Sequence, residues 1–307
     1  MPQFNVTRSI SINAPLDSVY NVLLDFKQWP AWSPWLIVEP DCKLDYADDG
    51  QSYRWDGQLV GSGEMVIEDV KPSARIDYRR TFLKPWKSKS SVSFELAVQG
   101  EQVDVTWNMT GSLPFFLFWM KKTMSAMVGM DYDRGLRMLK DYLETSSVPS
   151  SLSYSENDHV DEYQYVGIKN TCSIESIGDT MSADFKSLHA AAAENAIECV
   201  GMPFSLYHKW DLANGTGEYT IGFPVASIPS PLPQGLVIGT QPACDTYAIK
   251  HTGPYRHIGN AWSSGMIRAR SKLFQQDKRI PPFEVYETEP ETTPENELIA
   301  TVHFPRR

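Results

Sequence analysis

The second half of the chain carries a weak internal repeat that restricts the folds open to it. Two segments align, 203–207 with the sequence Pro-Phe-Ser-Leu-Tyr and 282–286 with the sequence Pro-Phe-Glu-Val-Tyr. Each follows a predicted strand and an amphipathic helix and precedes a polar segment and another strand, so each pass reads βαββ. One such unit is too small to bury its own helix face. We therefore predict that the two units pair about a pseudo-twofold axis.

The matching elements of the two passes lie at similar spacing along the chain. They are 163–169, 177–192, 203–207 and 218–225 in the first pass, and 246–251, 258–273, 282–286 and 298–304 in the second. Because side chains alternate along a strand, Glu284 and Tyr286 share one face of the last short strand. The first pass has Ser205 where the second has Glu284. The scaffold therefore does not need a carboxylate there, and Glu284 reads as an addition to it.

The first half has a different order of elements. A strand at 4–12 and a helix at 15–24 precede a run of alternating strands from 43 to 110, and helical spacing returns over 128–143. Short turns between the strands favour an antiparallel meander. The order predicts a curved antiparallel sheet around a long C-terminal helix, with a cavity between them, and an α+β fold for the whole chain. A serine-rich stretch without periodicity predicts a linker at 146–158, between domains at 1–145 and 159–307.

Composition excludes several classes of function. A formal net charge of −10 over 307 residues argues against a nucleic-acid-binding protein, because phosphate contact needs clustered lysine and arginine. The apolar run 113–120 is too short to cross a membrane, and the N-terminus enters a strand pattern without a signal core. Four widely spaced cysteines form no metal or redox motif. We expect a soluble cytoplasmic protein with no membrane partner and no cofactor, and the sequence leaves its oligomeric state open.

The first half resembles the START-like or helix-grip superfamily, in particular its polyketide cyclase/dehydrase-like members. The resemblance rests on 10–15, 19–20, 25–26, the Trp-Pro-Ala-Trp-Ser-Pro-Trp stretch at 29–35 and the terminal helix, and it covers roughly 3–145. It implies the fold but no particular chemistry, since the superfamily contains carriers, sensors and some enzymes.

The second half resembles the GyrI-like family, the effector-binding domain also attached to AraC-type and MerR-type regulators. The motifs are Gly-Phe-Pro-Val at 222–225, His-Thr-Gly-Pro-Tyr at 251–255, Trp262 and Phe-Glu-Val-Tyr at 283–286. The resemblance implies a central groove lined by aromatic rings, with the strand glutamate at its floor. It also implies hydrophobic, often cationic ligands, and some free-standing members are similar to hydrolases of cyclopropane-bearing toxins.

The candidate site residues each have a structural alternative. Glu284 is either a buried ligand anchor or an exposed edge-strand carboxylate, and the repeat mismatch and the family motif favour the anchor. Around it we expect a groove lined by four further aromatic residues besides Tyr286, each of which can instead pack a core. They are Tyr207, Trp210, Tyr255 and Trp262. His251 is interpreted as a structural hydrogen-bonding residue because no orienting partner for a general base is evident.

The first half offers no catalytic set. It contains no histidine, and most of its aromatic residues are explained by core packing, although they can line the predicted cavity. Those residues are Trp32, Trp35, Trp55, Tyr78, Trp107 and Trp119. Three arginines on predicted strands, Arg54, Arg79 and Arg80, are interpreted as a solvated face.

Two functional hypotheses follow. In the first, the C-terminal groove binds hydrophobic or cationic aromatic small molecules, in a sensing, sequestering or toxin-resistance role. In the second, the protein hydrolyses reactive cyclopropanoid electrophiles, with Glu284 orienting or deprotonating water and Tyr255 or another ring donor stabilising the leaving oxygen.

Overall fold

The computed structural model describes residues 3–84 and 87–307 and contains two compact units, divided between Pro149 and Ser150. Both units combine helices with an antiparallel sheet, which confirms the α+β prediction. None of the helices in the described ranges is both long and apolar enough to span a membrane.

The first unit is a seven-stranded antiparallel sheet in the order β1-β7-β6-β5-β4-β3-β2, with one short and one long helix. Its elements are β1 Gln3–Ile12, α1 Leu16–Leu24, β2 Lys43–Tyr46, β3 Ser52–Asp56, β4 Ser62–Lys71, β5 Arg75–Lys84, β6 Ser88–Gln99, β7 Gln102–Ser112 and α2 Lys121–Thr145. The strand–helix–meander–helix order predicted from the sequence is therefore confirmed.

Aromatic rings pack between the sheet and α2 where the sequence predicted a cavity. Tyr132 of α2 stacks on Trp107 of β7 with 3.8 Å between ring centroids, and Trp107 stacks in turn on Phe94 at 4.8 Å. Trp32, Trp55 and Tyr78 are likewise buried in this core, Trp35 is partly buried and packs against it, and Trp119 is exposed. Core packing therefore accounts for most of these aromatic residues, as the sequence interpretation favoured.

The second unit is an eight-stranded antiparallel sheet in the order β12-β9-β11-β10-β14-β15-β13-β8, with two helices. Its elements are β8 Ser151–Val160, β9 Tyr163–Ser173, α3 Ile177–Glu194, β10 Phe204–Asp211, β11 Thr216–Pro224, β12 Val237–Gln241, β13 Cys244–Thr252, α4 Gly259–Arg270, β14 Phe283–Tyr286 and β15 Ile299–Pro305. Both predicted βαββ passes are present, as β9-α3-β10-β11 and β13-α4-β14-β15.

The pseudo-twofold axis of the repeat runs between the two central strands. Strand β10 of the first pass pairs antiparallel with β14 of the second, and Ser205 lies directly opposite Glu284. The repeat mates are thus also cross-strand partners. Each half contributes one strand to the centre of the sheet, which explains why neither half is expected to be stable alone.

Strands β8 and β12 extend the sheet beyond the repeat. Strand β8 precedes the first pass but pairs with β13 of the second, and β12 precedes the second pass but pairs with β9 of the first. The segment predicted as a linker, 146–158, is therefore mostly strand and lies largely in the second unit. Its polar sequence misled the prediction because β8 is an edge strand with most side chains exposed.

Candidate functional site

Strand β14 places Glu284 in the interior of the second unit. The strand is only four residues long, Phe283–Tyr286, and it pairs with β10 on one side and with β15 on the other. Glu284 is 2% exposed, so the alternative of a solvated edge-strand carboxylate does not hold. A carboxylate removed from water needs compensating donors or a cation.

Three neutral donors meet the Glu284 carboxylate. The Tyr207 hydroxyl donates to Oε1 at 2.6 Å, the Tyr286 hydroxyl donates to the same oxygen, and the Trp262 indole N–H donates to Oε2 at 2.7 Å. Among the residues that the structure describes, no lysine, arginine or histidine forms an ion pair with this carboxylate. The site therefore holds a buried acid on neutral hydrogen bonds alone.

The repeat accounts for part of this arrangement. Glu284 accepts a hydrogen bond from Tyr207, which belongs to the other half. In the same way, the Ser205 hydroxyl lies 3.1 Å from the hydroxyl of Tyr286, which belongs to the half that contains Glu284. Since the Tyr286 hydrogen goes to Glu284, Ser205 donates to the Tyr286 oxygen. Each half thus links one residue to the tyrosine of the opposite half, and only the longer glutamate reaches further, to its own Tyr286 and to Trp262.

Five aromatic residues surround the carboxylate, and together with it they form what we call the Glu284 cluster: Tyr207, Trp210, Tyr255, Trp262 and Tyr286. Tyr207 makes edge-to-face contacts with Trp262 at 4.7 Å and with Trp210 at 5.8 Å between ring centroids, and Tyr286 does so with Tyr255 at 5.3 Å. All five side chains are partly exposed, in contrast to Glu284. The structure therefore brings together every residue that the sequence proposed for this site.

Tyr255 and Trp210 contribute rings rather than hydrogen bonds to the carboxylate. The Tyr255 hydroxyl donates to the Thr288 carbonyl at 2.6 Å, which ties the turn before α4 to the segment after β14. The Trp210 indole nitrogen is buried and has no hydrogen-bond partner among the described residues. Tyr207 and Tyr286, not Tyr255, supply the phenol donors to Glu284.

His251 lies outside the cluster. It is fully buried on β13, and its Nε2 atom lies 3.0 Å from the Ser150 hydroxyl. Burial lowers the pKa of His251 to about 4, so the imidazole is neutral at physiological pH. This agrees with the structural role that the sequence analysis favoured.

Burial also raises the pKa of the ionisable groups in the cluster. Desolvation raises the pKa of Glu284 above its ordinary value, and the three hydrogen bonds from Tyr207, Tyr286 and Trp262 lower it in part. Burial first and the nearby carboxylate second raise the pKa of the Tyr207 and Tyr286 hydroxyls well above the usual phenol range. Both phenols therefore remain protonated and continue to donate to Glu284.

Helix α3 adds two contacts that the sequence analysis did not assign to the site. The Phe185 ring packs edge-on against Tyr286 at 5.4 Å, and the Met181 sulfur lies 3.6 Å from the Tyr207 hydroxyl. Both residues belong to the apolar stripe by which the helix was predicted. The repeat could have indicated that Met181 contacts the site, because Met181 has the same position in α3 as Trp262 has in α4.

Comparisons with known proteins agree with the two-domain organisation in part. The family model described as polyketide cyclase/dehydrase and lipid transport matches residues 3–144, which confirms the resemblance of the first half. No curated protein matches the chain.

Several solved structures are similar in fold to parts of the chain. The C-terminal domain of EcmrR aligns over 52% of this chain and 98% of its own, with 13% identity and a TM-score of 0.44. The EcmrR–DNA complex aligns over 61% of this chain and 68% of that one, with 14% identity and a TM-score of 0.43. MLL2253 from Mesorhizobium loti aligns over 47% and 98%, with 14% identity and a TM-score of 0.37.

Proposed function

We propose that the second unit binds small hydrophobic or cationic aromatic molecules at the Glu284 cluster, in a sensing, sequestering or toxin-resistance role. The observation that carries this proposal is a fully buried carboxylate that has no ion-pair partner in the described chain and is covered by partly exposed aromatic rings. The three hydrogen bonds to Glu284 offset the cost of burying this charge only in part, so an approaching cation would stabilise it further.

The rings supply the contact surface and the carboxylate supplies the charge. A cation over an aromatic face gains about 0.5–2 kcal/mol per ring, with more when it is desolvated. Because Tyr207, Tyr286 and Trp262 donate hydrogen bonds to Glu284, their rings carry extra electron density toward an approaching cation. Glu284 therefore acts on the ligand through the rings, without itself being exposed.

The family description of the first unit supports small-molecule binding more generally. Proteins of the matched family are described by lipid transport and by cyclase or dehydrase chemistry, both of which involve small molecules. The net charge of −10 favours cationic over anionic partners at long range and disfavours nucleic acid. We therefore also propose that this protein does not itself bind DNA.

Calorimetric titration of the full chain with a matched pair of ligands tests the proposal. Benzyltrimethylammonium carries a charge, and neopentylbenzene has the same shape without it. We expect the wild type to bind the cation at least tenfold more tightly, and Glu284→Gln to lose that preference. Glu289→Gln removes an exposed carboxylate just beyond β14 and is expected to keep it. Equal affinity of the wild type for both ligands would rule out a role for the Glu284 charge, and a wild type that binds neither ligand would rule the proposal out.

Hydrolysis of an electrophile is the second candidate. It is favoured by the raised pKa of Glu284, which brings a general base closer to neutral pH. Against it, both carboxylate oxygens already accept hydrogen bonds, and the Tyr255 hydroxyl is engaged with Thr288. A panel of cyclopropane electrophiles separates the two functions. Turnover that disappears in Glu284→Gln while ligand affinity survives supports hydrolysis, and a wild type inactive across the panel discards it.

A further inference from the structure

The most exposed large apolar side chains of the described ranges lie together at one end of the first unit. After β7, a short helical segment, Phe115–Met120, leads into α2. Four of its rings, which we call the aromatic patch, are Phe115 at 78% exposure, Phe116 at 74%, Phe118 at 60% and Trp119 at 68%. No other large apolar side chain in the described ranges is more than 57% exposed. Trp119 therefore neither packs in the core nor lines an interior, the two roles that the sequence interpretation allowed it.

Two inward-facing leucines hold the aromatic patch in place. Leu113 is buried, and Leu117 is partly buried and packs against the core of the unit. The Leu117 amide donates to the Pro114 carbonyl at 2.9 Å, and the Phe115 and Phe118 rings are adjacent, with centroids 6.2 Å apart. The rings point outward because the leucines of the same stretch point inward. Monomeric proteins rarely leave a contiguous apolar surface of this kind free, so the patch indicates an interaction site.

Exposed lysines lie on both sides of the aromatic patch. Lys121 and Lys122 follow the helical segment directly. Lys87 and Lys89 lie at the start of β6, which pairs with the end of β7 from which the segment continues. None of these four lysines forms an ion pair with another residue that the structure describes. Their charges are therefore available to an anionic partner.

The sequence around the patch contains no carboxylates. Neither 78–94 nor 105–130 has an aspartate or glutamate, although the whole chain has 38 acidic and 28 basic residues. A neighbouring strand supplies Asp56, which lies 3.5 Å from Lys84 and is therefore already paired. Exposed charges more than about 8 Å away are largely screened at physiological ionic strength. The net charge of −10 thus does not prevent this end of the first unit from being locally positive.

We propose that the first unit docks on anionic membrane surfaces, with the aromatic patch inserted among the headgroups and the lysines paired with lipid phosphates. Aromatic rings and long-stemmed lysines are the side chains that suit a membrane interface. The sequence analysis expected no membrane partner because the run 113–120 is too short to span a bilayer. That length does not prevent the run from lying in the interface. The proposal concerns the outside of the unit and needs no space between the sheet and α2.

A membrane fits this surface better than a second copy of the chain does. In a twofold contact the same surface of both copies meets, so the lysines around the two patches would face one another. Anionic headgroups instead offer phosphate oxygens to the lysines and an apolar layer to the rings. The surface is in the first unit and the Glu284 cluster is in the second, so either proposal can fail without the other.

Co-flotation of the full chain with vesicles tests the role of the lysines. The vesicles contain either phosphatidylcholine alone or equal parts of phosphatidylcholine and phosphatidylglycerol. We expect at least tenfold tighter binding to the anionic vesicles, because each lysine near such a surface adds to the attraction. Lys121→Gln combined with Lys122→Gln should lose most of that preference. A wild type that binds neither vesicle, or both equally, overturns the proposal.

The matched control removes two exposed lysines from the other end of the unit, Lys27→Gln combined with Lys71→Gln. Lys27 adjoins Gln28, which accepts a hydrogen bond from Tyr142 near the far end of α2, and Lys71 ends β4 away from Lys84. This control has the same net charge as the first variant. It is expected to keep the preference for anionic vesicles, and an equal loss in both variants counts against a local site.

A second pair of variants tests the rings. Phe116→Ser combined with Trp119→Ser is expected to weaken binding to the anionic vesicles at least tenfold, because the apolar contribution scales with the inserted area. Val98→Ser removes an exposed apolar side chain from the opposite end of β6 and should bind as the wild type does. If the ring variant binds as tightly as the wild type, the proposal is wrong.

Two further measurements separate docking from a structural role and from self-association. The ring variant should unfold at the wild-type midpoint, since the rings are exposed in the free protein. A lower midpoint assigns the rings to the fold and counts against the proposal. In sedimentation velocity without vesicles, both proteins should show the same species. A wild-type dimer that the ring variant abolishes assigns the patch to a second copy and overturns the proposal.

Tryptophan fluorescence places the patch relative to the bilayer. Trp119→Phe keeps a ring at this position and is expected to retain binding to the anionic vesicles. Brominated lipid in those vesicles should quench the wild type more strongly than Trp119→Phe, because Trp119 lies in the inserted patch. Equal quenching of the two proteins places Trp119 outside the bilayer and contradicts the proposal.

Discussion

Ser205 and Glu284 differ by two carbons and a charge, and they occupy equivalent places across the axis of the second unit. The serine hydroxyl bonds to one tyrosine, whereas the glutamate carboxylate accepts from two tyrosines and a tryptophan. The aromatic frame therefore belongs to the repeat, and the buried charge belongs to one half only. That asymmetry places a buried acid on one side only of an otherwise symmetric sheet.

The raised pKa of Glu284 has a consequence for stability. In the window between its ordinary value and its raised value, the folded protein holds a proton that the unfolded chain has released. The contribution of Glu284 to the free energy of unfolding is therefore greatest at low pH. It decreases as pH rises through the window, by at most about 1.4 kcal/mol per pH unit. We expect the free energy of unfolding of the wild type to fall relative to Glu284→Gln over that range in urea titrations. A difference that is constant with pH would contradict the shift.

The indole of Trp262 is one of the groups that limit this shift. Trp262→Phe removes its hydrogen bond to the carboxylate and leaves a ring in place, so the pKa of Glu284 should increase further. The upper limit of the pH window in the urea titrations then moves to higher pH, while the lower limit, which the unfolded chain sets, stays unchanged. Tyr255→Phe is the control, since the Tyr255 hydroxyl bonds to Thr288 and not to Glu284. The window is expected to stay where it is in that variant, and equal movement in both would refute the assignment.

At the scale of elements, helix α4 approaches the sheet closely enough to require glycine. A methyl group at Gly265 would overlap the ring of Phe304 on β15, which is 2% exposed and packed in the core. Gly265→Ala is therefore expected to destabilise the protein by about 1–3 kcal/mol in urea unfolding, despite the better helix propensity of alanine. Gly178 in α3 has open space around it, and Gly178→Ala is expected to be neutral or stabilising by up to about 1 kcal/mol. Similar effects of the two changes would argue against this packing.

Elements were predictable where their pattern is local. Apolar alternation and helical spacing identified the strands and helices of both passes. The repeat predicted that the two halves pair, but it did not predict that β10 and β14 are the strands that meet. Strand β8 was missed because an exposed edge strand has no apolar alternation to detect. Strand alternation, the repeat and the family motifs predicted the members of the Glu284 cluster, except for Trp210, which was chosen for its position just past the first-half strand. They did not predict its hydrogen bonds, because which hydroxyl reaches Glu284 depends on the register between β10 and β14.

Over the whole molecule, each unit buries a charge that has no ion-pair partner among the described residues: Arg80 in the first and Glu284 in the second. A folded chain gains no stability from such groups, since well-packed apolar residues are usually as stable or better. Arg80 is buried, and does not lie on the solvated face that the sequence indicated, because strand alternation places it on the side of β5 that Tyr78 and Phe82 share. Of the two charges, Glu284 is the one at the proposed ligand site. A net charge of −10 attracts cations rather than anions at long range.

The boundary between the units carries the last prediction. We propose that the second domain starts at Ser150, because β8 completes the edge of β13 and the Ser150 hydroxyl is the partner of buried His251. A fragment 150–307 is expected to unfold cooperatively in urea and to bind benzyltrimethylammonium with the affinity of the full chain. A fragment 159–307 loses most of β8, which exposes the β13 edge and leaves His251 unpaired.

We expect the free energy of unfolding of fragment 159–307 to be lower by about 2–5 kcal/mol. The loss comes from several cross-strand hydrogen bonds, worth about 0.5–1.5 kcal/mol each, and from an unsatisfied buried imidazole. An unpaired edge also promotes association between chains, so size-exclusion chromatography should show oligomers of 159–307 and a single species of 150–307 at the same concentration. If the two fragments have equal stability and the same elution profile, β8 is an appendage of the domain and its start lies nearer residue 159. Because fragment 147–307 adds only residues that precede the second unit, it should behave like 150–307, which makes it the control for chain length.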